Sequence, residues 1–162
     1  MYNSAVATFY AAADPSGIGG MRREFIRAMP SWRKGPPRYD TVFLDRNRNL
    51  PGMRGIGVVR ALMFFSFDFR DVTYPCALVR WYTTLGDGPD EDTGMWVVQP
   101  EMDAGSPVVS IIHLDCVIRS AHLVAIYGTE PIPKIQCHQS LDAFKVFYVN
   151  KFIDHHAFQL AR

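Results

Sequence analysis

The chain is poor in cysteine, and the three it has, Cys76, Cys116 and Cys137, are an odd number without disulfide-framework spacing. That excludes a small secreted fold held together by bridges and favours a reducing compartment. No apolar run reaches the roughly 20 residues that a membrane-spanning helix needs. The N-terminal stretch MYNSAVATFYAAADP has no basic residue ahead of its apolar part, so it does not read as a secretory leader. A soluble, intracellular protein is expected. Phosphate-loop patterns are missing as well: Gly17, Gly19 and Gly20 fit neither G-x-x-x-x-G-K-[ST] nor G-x-G-x-x-G. Asp87, Asp90 and Asp92 lack the residue order and flanking helices of an EF-hand, which argues against calcium. No cofactor and no metal are expected.

What the chain has in quantity is apolar and aromatic residues, 48% and 13% of it, enough to offset the ordering entropy of a folded core. The longest apolar stretch with a turn at its centre runs from Val58 to Tyr82, VVRALMFFSFDFRDVTYPCALVRWY. Alternation places Val59, Ala61, Met63, Phe65, Phe67 and Phe69 on one face, and Leu62 and Phe64 make the other face partly apolar. This is the pattern of a central strand covered on both sides. Arg70-Asp71 supplies the turn. An unbroken register then sets Phe67 against Tyr74, Met63 against Leu78 and Arg60 against Trp81, the last as a surface cation–π pair.

Further strands are expected from Ser4 to Ala11, Tyr39 to Leu44, Met95 to Gln99, Val108 to Leu114 and over HLVAIYG. Met21 to Met29 reads as a short strand or a helical turn, and Asp115 to Ala121 as a helical turn. The segment from Asp14 to Gly20 forms a loop, and Pro30, Pro36 and Pro37 keep PSWRKGPPR irregular. DRNRNLPGMRG and TTLGDGPDEDTG are exposed connections. Beyond Pro131 and Pro133 the period changes: Ser140 is a candidate N-cap, and Leu141, Phe144, Tyr148 and Phe152 predict a C-terminal helix. Phe147, Val149, Ile153 and Phe158 widen its apolar surface beyond one stripe, so the helix has a second face to dock. The expected fold class is mainly β (α+β), a small antiparallel β-barrel with a C-terminal α-helix. A barrel domain at residues 1–130 is followed by a linker and helix at 131–162, packed on the barrel or on a partner.

A net charge of +1 conceals a segregation along the chain. Between Arg22 and Arg60 ten Lys/Arg stand against three Asp/Glu; between Ala61 and Asp103 two stand against eight. The basic third nominates Arg22, Arg23, Arg27, Arg33, Lys34, Arg38, Arg46, Arg48 and Arg54 as phosphate contacts, with Trp32 placed to stack on a base. The competing readings are that Trp32 plugs its loop onto the core and that the acidic third neutralises the basic one. Tyr39, Trp81, Tyr82 and Trp96 are candidates for an aromatic cage around a methylated lysine, with the acidic loop Asp87 to Asp92 to meet a histone tail.

Enzymatic readings are weaker. His113-x-x-Cys116, Cys137-His138 and His155-His156 hold zinc-type residues in spacings that zinc seldom uses. His113, Asp115 and Cys116 contain the residue types of a nucleophilic hydrolase, but adjacency in sequence is not triad geometry. Asp40, Asp45, Asp68 and Asp115 could serve a metal-dependent nuclease, yet such cores alternate strands with helices, and this chain runs strands first. No enzymatic activity is expected.

The segments YPCALVRWY, PDEDTGMWVV, IHLDCVIRSAHLVAIYG and HQSLDAFKVFYVNKFIDHHAF together resemble the C-terminal region of the large proteins encoded by basidiomycete DNA transposons, of the Plavaka and related CACTA-like groups. The resemblance runs from near SAVATFYA to the terminal helix. In those proteins the zinc-finger and catalytic regions lie N-terminal to this part, so no catalytic residue carries over. With Met1 directly before the resembling stretch, a stand-alone fragment without the transposase core is expected. The resemblance implies an accessory β-barrel module, similar in strand-and-turn pattern to bromo-adjacent-homology domains, on a DNA-handling protein of the nucleus. The expected function is therefore non-enzymatic, non-specific binding of DNA or chromatin through the basic segment. The alternatives are a protein-interaction or self-association module that uses the C-terminal helix, or a methyl-lysine reader.

Overall fold

The structure, a computed structural model, describes residues 1–11, 18–129 and 131–162. The expected loop from Asp14 to Gly17 lies outside the described residues. The chain is mainly β, with 50% of the described residues in strands, and its principal antiparallel sheet curls into a half-barrel. A smaller sheet is built from β1 (Ser4–Tyr10), β2 (Met21–Met29) and β3 (Arg38–Tyr39). Met21 to Met29 is a strand and not a turn because it pairs with β1 along its length, from Ser4 opposite Arg27 to Tyr10 opposite Met21. Alternation gives this sheet two unlike faces. Ala7, Phe9, Ile26 and Ala28 are buried, whereas Val6, Tyr10, Met21, Arg23 and Phe25 are exposed.

The principal sheet comprises β4 (Thr41–Asp45), β5 (Ile56–Phe69), β6 (Val72–Leu85) and β7 (Val97–Pro100). After a two-residue ribbon of β8 (Met102–Asp103) and β9 (Ser106–Pro107), it continues with β10 (Val109–His113), β11 (Val117–Ser120), β12 (Leu123–Ile126) and β13 (Val146–Val149). The strand order is β11-β4-β5-β6-β7-β13-β12, with β10 on the edge of β6 beside β7. The segment expected to be a helical turn, Asp115 to Ala121, is instead a 3-10 turn over Leu114–Cys116 followed by β11. Pro75 falls one residue beyond the last β10 pairing, His113 with Cys76, where the missing N–H costs β6 no second ladder.

The long hairpin forms around Arg70-Asp71 as expected, with Phe67 opposite Tyr74 and Met63 opposite Leu78. Arg60, however, faces Arg80 and not Trp81, because the register shifts between Ala61 and Met63. One extra residue, Leu62, bulges out of β5 and reverses the alternation. Val59, Ala61 and Phe64 therefore share one buried face with Ala77 and Val79, against which β1 and β2 pack. Val58 and Tyr82 lie on the other face with Phe43, Val98, Phe147 and Val149. Beyond the bulge, Phe67 and Phe69 continue that second face into solvent, about half exposed.

The C-terminal helix is present but short, as α2 (His155–Leu160); of the rest of the expected helical stretch, Ser140–Ala143 forms α1 and Val146–Val149 forms β13. Val146 to Val149, VFYV, is rich in β-branched and aromatic residues and inserts between β7 and β12, where Phe147 and Val149 are buried. Pairing on two sides outweighs a helical periodicity that local chemistry also interrupts: Asn150 accepts from the Phe152 amide, and Asp154 accepts from the Ala157 amide to start α2. Residues on both sides of position 130 thus belong to one sheet. The end of the chain packs against the turn at Gly52, whose φ is +56° and where a Cβ would approach the Arg162 carbonyl oxygen to 2.2 Å. Among the described residues no helix is long and apolar enough to cross a membrane.

Candidate nucleic-acid interface

The outward face of β2 repeats Arg23, Phe25 and Arg27, and both guanidinium groups lie 5.5 Å from the Phe25 ring centroid. From the end of β2 the chain enters a tight turn in which the Gly35 amide donates to the Trp32 carbonyl at 2.8 Å. Arg33 and Lys34, the two central residues, have φ of 51° and 62°, a left-handed pair that normally selects Asn-Gly. The turn thrusts both cations into solvent and turns the half-buried Trp32 back onto the sheet. Arg27 stacks over the indole at 3.9 Å, with Arg33 at 5.1 Å and Arg38 at 5.3 Å. The proline-rich loop and the sheet thereby join four arginines and Lys34 to two aromatic rings on one surface.

The charge of this surface is largely uncompensated. Arg38 donates to Asp40 at 2.8 Å, and the Arg27 backbone amide donates to the same carboxylate. Among the described residues, Arg23, Arg27, Arg33 and Lys34 enter no ion pair. Arg38, Arg48 and Arg60 pair with Asp40, Asp45 and Asp142, none of them in the acidic third. In that third, Asp90 is held by its own loop: it accepts from the Thr93 hydroxyl and amide, and these bonds lower its pKa.

The rest of the nominated set lies elsewhere. Arg22 alternates to the opposite face of β2 from Arg23. Arg46, Arg48 and Arg54 follow β4, whose five residues, about 17 Å of extended strand, separate them from Arg38. Arg46 stacks on Trp81 at 5.1 Å, over a position where Gly57 leaves room for it. Arg48 is tied to Asp45, whose hydrogen bond and charge raise the Arg48 pKa.

The aromatic cage does not assemble. Tyr39 and Trp81 pack against one core cluster, while Tyr82 and Trp96 are buried in the other. Neighbours on a strand point to opposite faces, so Trp81 and Tyr82 cannot share a cage wall. Burial raises the Tyr82 pKa, as expected of a core phenol. Among the described residues no three His, Cys, Asp or Glu side chains converge as metal ligands would. His113 spends its Nδ1 on the Asp115 amide at 3.2 Å, the local turn that begins the 3-10 segment.

Two groups of residues escaped the sequence reading. Phe25 belongs to the basic face, and the spacing Arg23-x-Phe25-x-Arg27 signals it once Met21 to Met29 is taken as a strand. Arg60 and Arg119 are buried cations: Arg60 ties β5 to α1 through Asp142 at 2.6 Å, and Arg119 ties the two sheets together through Glu24 and also holds Asp154. Their partners lie 82 and 95 positions away for Asp142 and Glu24, so no local pattern marks them. No protein-family model, curated protein or solved structure matches the chain.

Proposed function

We propose that the chain is a non-enzymatic accessory domain, of the transposon-type proteins it resembles, that binds DNA in the nucleus weakly and without sequence preference. The observation that carries this reading is the gathering of Arg23, Arg27, Arg33 and Lys34, without carboxylate partners among the described residues, around Phe25 and Trp32. Arginine and lysine at this density suit phosphates, and counterion release supplies the affinity. The flat rings offer stacking surfaces that any base can use. Direct readout is not implied, since the face is a shallow sheet and not an element shaped to enter a groove. The contacting set is then Arg23, Arg27, Trp32, Arg33, Lys34 and Arg38, without Arg22, Arg46, Arg48 and Arg54.

The test is fluorescence anisotropy with a labelled random-sequence duplex. The variant R23A/R27A/R33A is expected to bind at least about tenfold more weakly than the unmodified protein, because three phosphate contacts are gone. The variant R46A/R54A is expected to bind nearly as well. Equal loss in both, or loss only in the second, contradicts the reading.

A second reading, a protein-interaction module, is favoured by one specific feature of the C-terminal segment. Phe152, Ile153 and Phe158 are 60%, 52% and 42% exposed, and the two phenyl rings sit 5.9 Å apart. The surplus apolar surface is thus carried by α2 and the turn before it. A mass that rises with concentration in sedimentation equilibrium, and does not in F152S/F158S, is the result this reading requires.

A further inference from the structure

An open groove runs along one edge of the basic surface. β3 pairs with β2 only at Ala28 and Met29, so among the described residues no strand is hydrogen-bonded to that edge of β2 from Phe25 back to Met21. The Ala28 amide donates to the Asn3 carbonyl and the Ala11 amide to that of Gly20, so the even-numbered residues of β2 address β1. Arg27 and Phe25 turn their N–H and C=O the other way. Both groups of Arg27 are met by Asp40, whereas those of Phe25 have no partner among the described residues and face the groove. The groove has two continuous stretches that share Arg38, Tyr39, Asp40, Ser140 and Leu141. One extends to Trp32 and the other to Phe25 and His122. These walls are exposed or half-buried, so a ligand reaches them without entering the core. Arg38 stands opposite Met29, four residues or about 13 Å along β2 from Phe25.

The geometry points to a single strand of DNA as the occupant of this groove, an inference that rests on the DNA-binding reading and narrows it. In a duplex each base has its flat faces covered by its neighbours, so Phe25 and Trp32 can stack only on bases that have left the helix. Between the two rings, Tyr39 and Leu141 supply apolar contact. The Phe25 amide and carbonyl supply one donor and one acceptor, which every base edge can use without a sequence being read. Arg38 gives Nε and Nη2 to Asp40 at 2.8 and 3.3 Å, which fixes its guanidinium beside the groove with Nη1 left for a phosphate. Arg23 and Arg27, on either side of Phe25, continue the cationic track. An acidic peptide would satisfy the cations and the strand edge but would leave both rings without a stacking partner.

Anisotropy with a labelled oligo-dT of about 16 nucleotides, against a duplex of equal length at equal salt, is the test. The unmodified protein is expected to bind the single strand about tenfold or more tighter than the duplex, the worth of stacking one or two bases. Ser140→Leu narrows the groove without touching a cation, and is expected to weaken single-strand binding about fivefold while duplex binding stays as it is. Phe25→Leu, at a position 54% exposed, removes a ring from the surface and is expected to weaken single-strand binding by about fivefold or more. If Ser140→Leu does not fold, Phe25→Leu carries the comparison. Equal affinity for the two forms overturns the inference and leaves the DNA-binding reading standing. So does a single-strand preference that both substitutions leave unchanged. Displacement of oligo-dT by an equal concentration of poly-glutamate would assign the groove to an acidic peptide and also overturn it. Binding of neither DNA form overturns the inference and the reading together.

Discussion

Arg119 donates through Nη2 to Glu24 at 2.6 Å and thereby ties β11, in the principal sheet, to β2, in the smaller one. The same guanidinium reaches both oxygens of Asp154 at 2.8 and 2.7 Å, so a single side chain also fixes the start of α2. Phe9 lies under it at 4.5 Å and stacks in turn on His156 at 4.7 Å. Glu24 is further satisfied by the Ser120 amide and hydroxyl. Three elements distant in sequence thus meet on one cation whose side chain is only 4% exposed.

Removing that cation leaves two carboxylates without its counter-charge, held only by the Ser120 and Ala157 hydrogen bonds. Arg119→Met is expected to cost about 3–5 kcal/mol, the range for breaking a buried pair from one side. Glu24→Gln keeps most of the hydrogen bonds and is expected to cost about 1–2 kcal/mol. Urea unfolding of the three proteins measures both. A loss under about 1 kcal/mol for Arg119→Met would show that the clasp does not hold the sheets.

The clasp makes stability depend on pH. Burial, and then the Arg119 charge, lower the His156 pKa below its ordinary 6.5. For Asp154 burial acts upward, but the Arg119 hydrogen bond, the Ala157 amide and the neighbouring positive charges prevail, and its pKa falls below 3.8. Each group binds fewer protons folded than unfolded, so stability rises with pH. The His156 contribution is complete above pH 6.5 and is lost as pH falls through the folded value; that of Asp154 is lost at lower pH, below 3.8. Melting temperature is therefore expected to fall in two stages between pH 8 and 3, and His156→Gln, facing Arg119, Asp154, Glu24 and His155, to abolish the upper one. An unchanged upper stage in that variant would assign it to another group.

The strands and the turn of the hairpin were legible because alternation and a two-residue loop are local signals. The bulge at Leu62 was not, since an inserted residue leaves an apolar run apolar while reversing its faces; this moved Arg60 from Trp81 to Arg80. Phe147 and Val149 fit both a helical stripe and a two-sided strand, and only pairing with β7 and β12 decides between them. The basic segment was visible as composition. Its division into a face at Arg23 to Arg38 and a separate group beyond β4 depends on strand length and direction, and the separation of Tyr39 and Trp81 from Tyr82 and Trp96 depends on tertiary packing.

Among the described residues two turns hold a pair of non-glycine residues in left-handed backbone, Arg33-Lys34 and Arg70-Asp71, the latter with φ of 50° and 60°. Replacing either pair by Asn-Gly is expected to stabilise the fold by about 1 kcal/mol, since such residues carry the strain at lower cost. The functional consequences differ. R33N/K34G removes two cations from the proposed interface and is expected to weaken DNA binding as it raises the melting temperature, while R70N/D71G leaves binding unchanged. Thermal melts and anisotropy on the same preparations separate the two effects, and equal DNA affinity in both variants would remove the Arg33-Lys34 turn from the interface.

The most direct test of the DNA-binding account is the salt dependence of that affinity, measured by anisotropy at about 50 and 200 mM salt. Five cations, Arg23, Arg27, Arg33, Lys34 and Arg38, each displacing a counterion from phosphate, predict that affinity falls by roughly 500-fold between the two. A change under about fivefold, or no binding at the lower salt, would mean that the clustered cations do not contact phosphates, and would contradict the account.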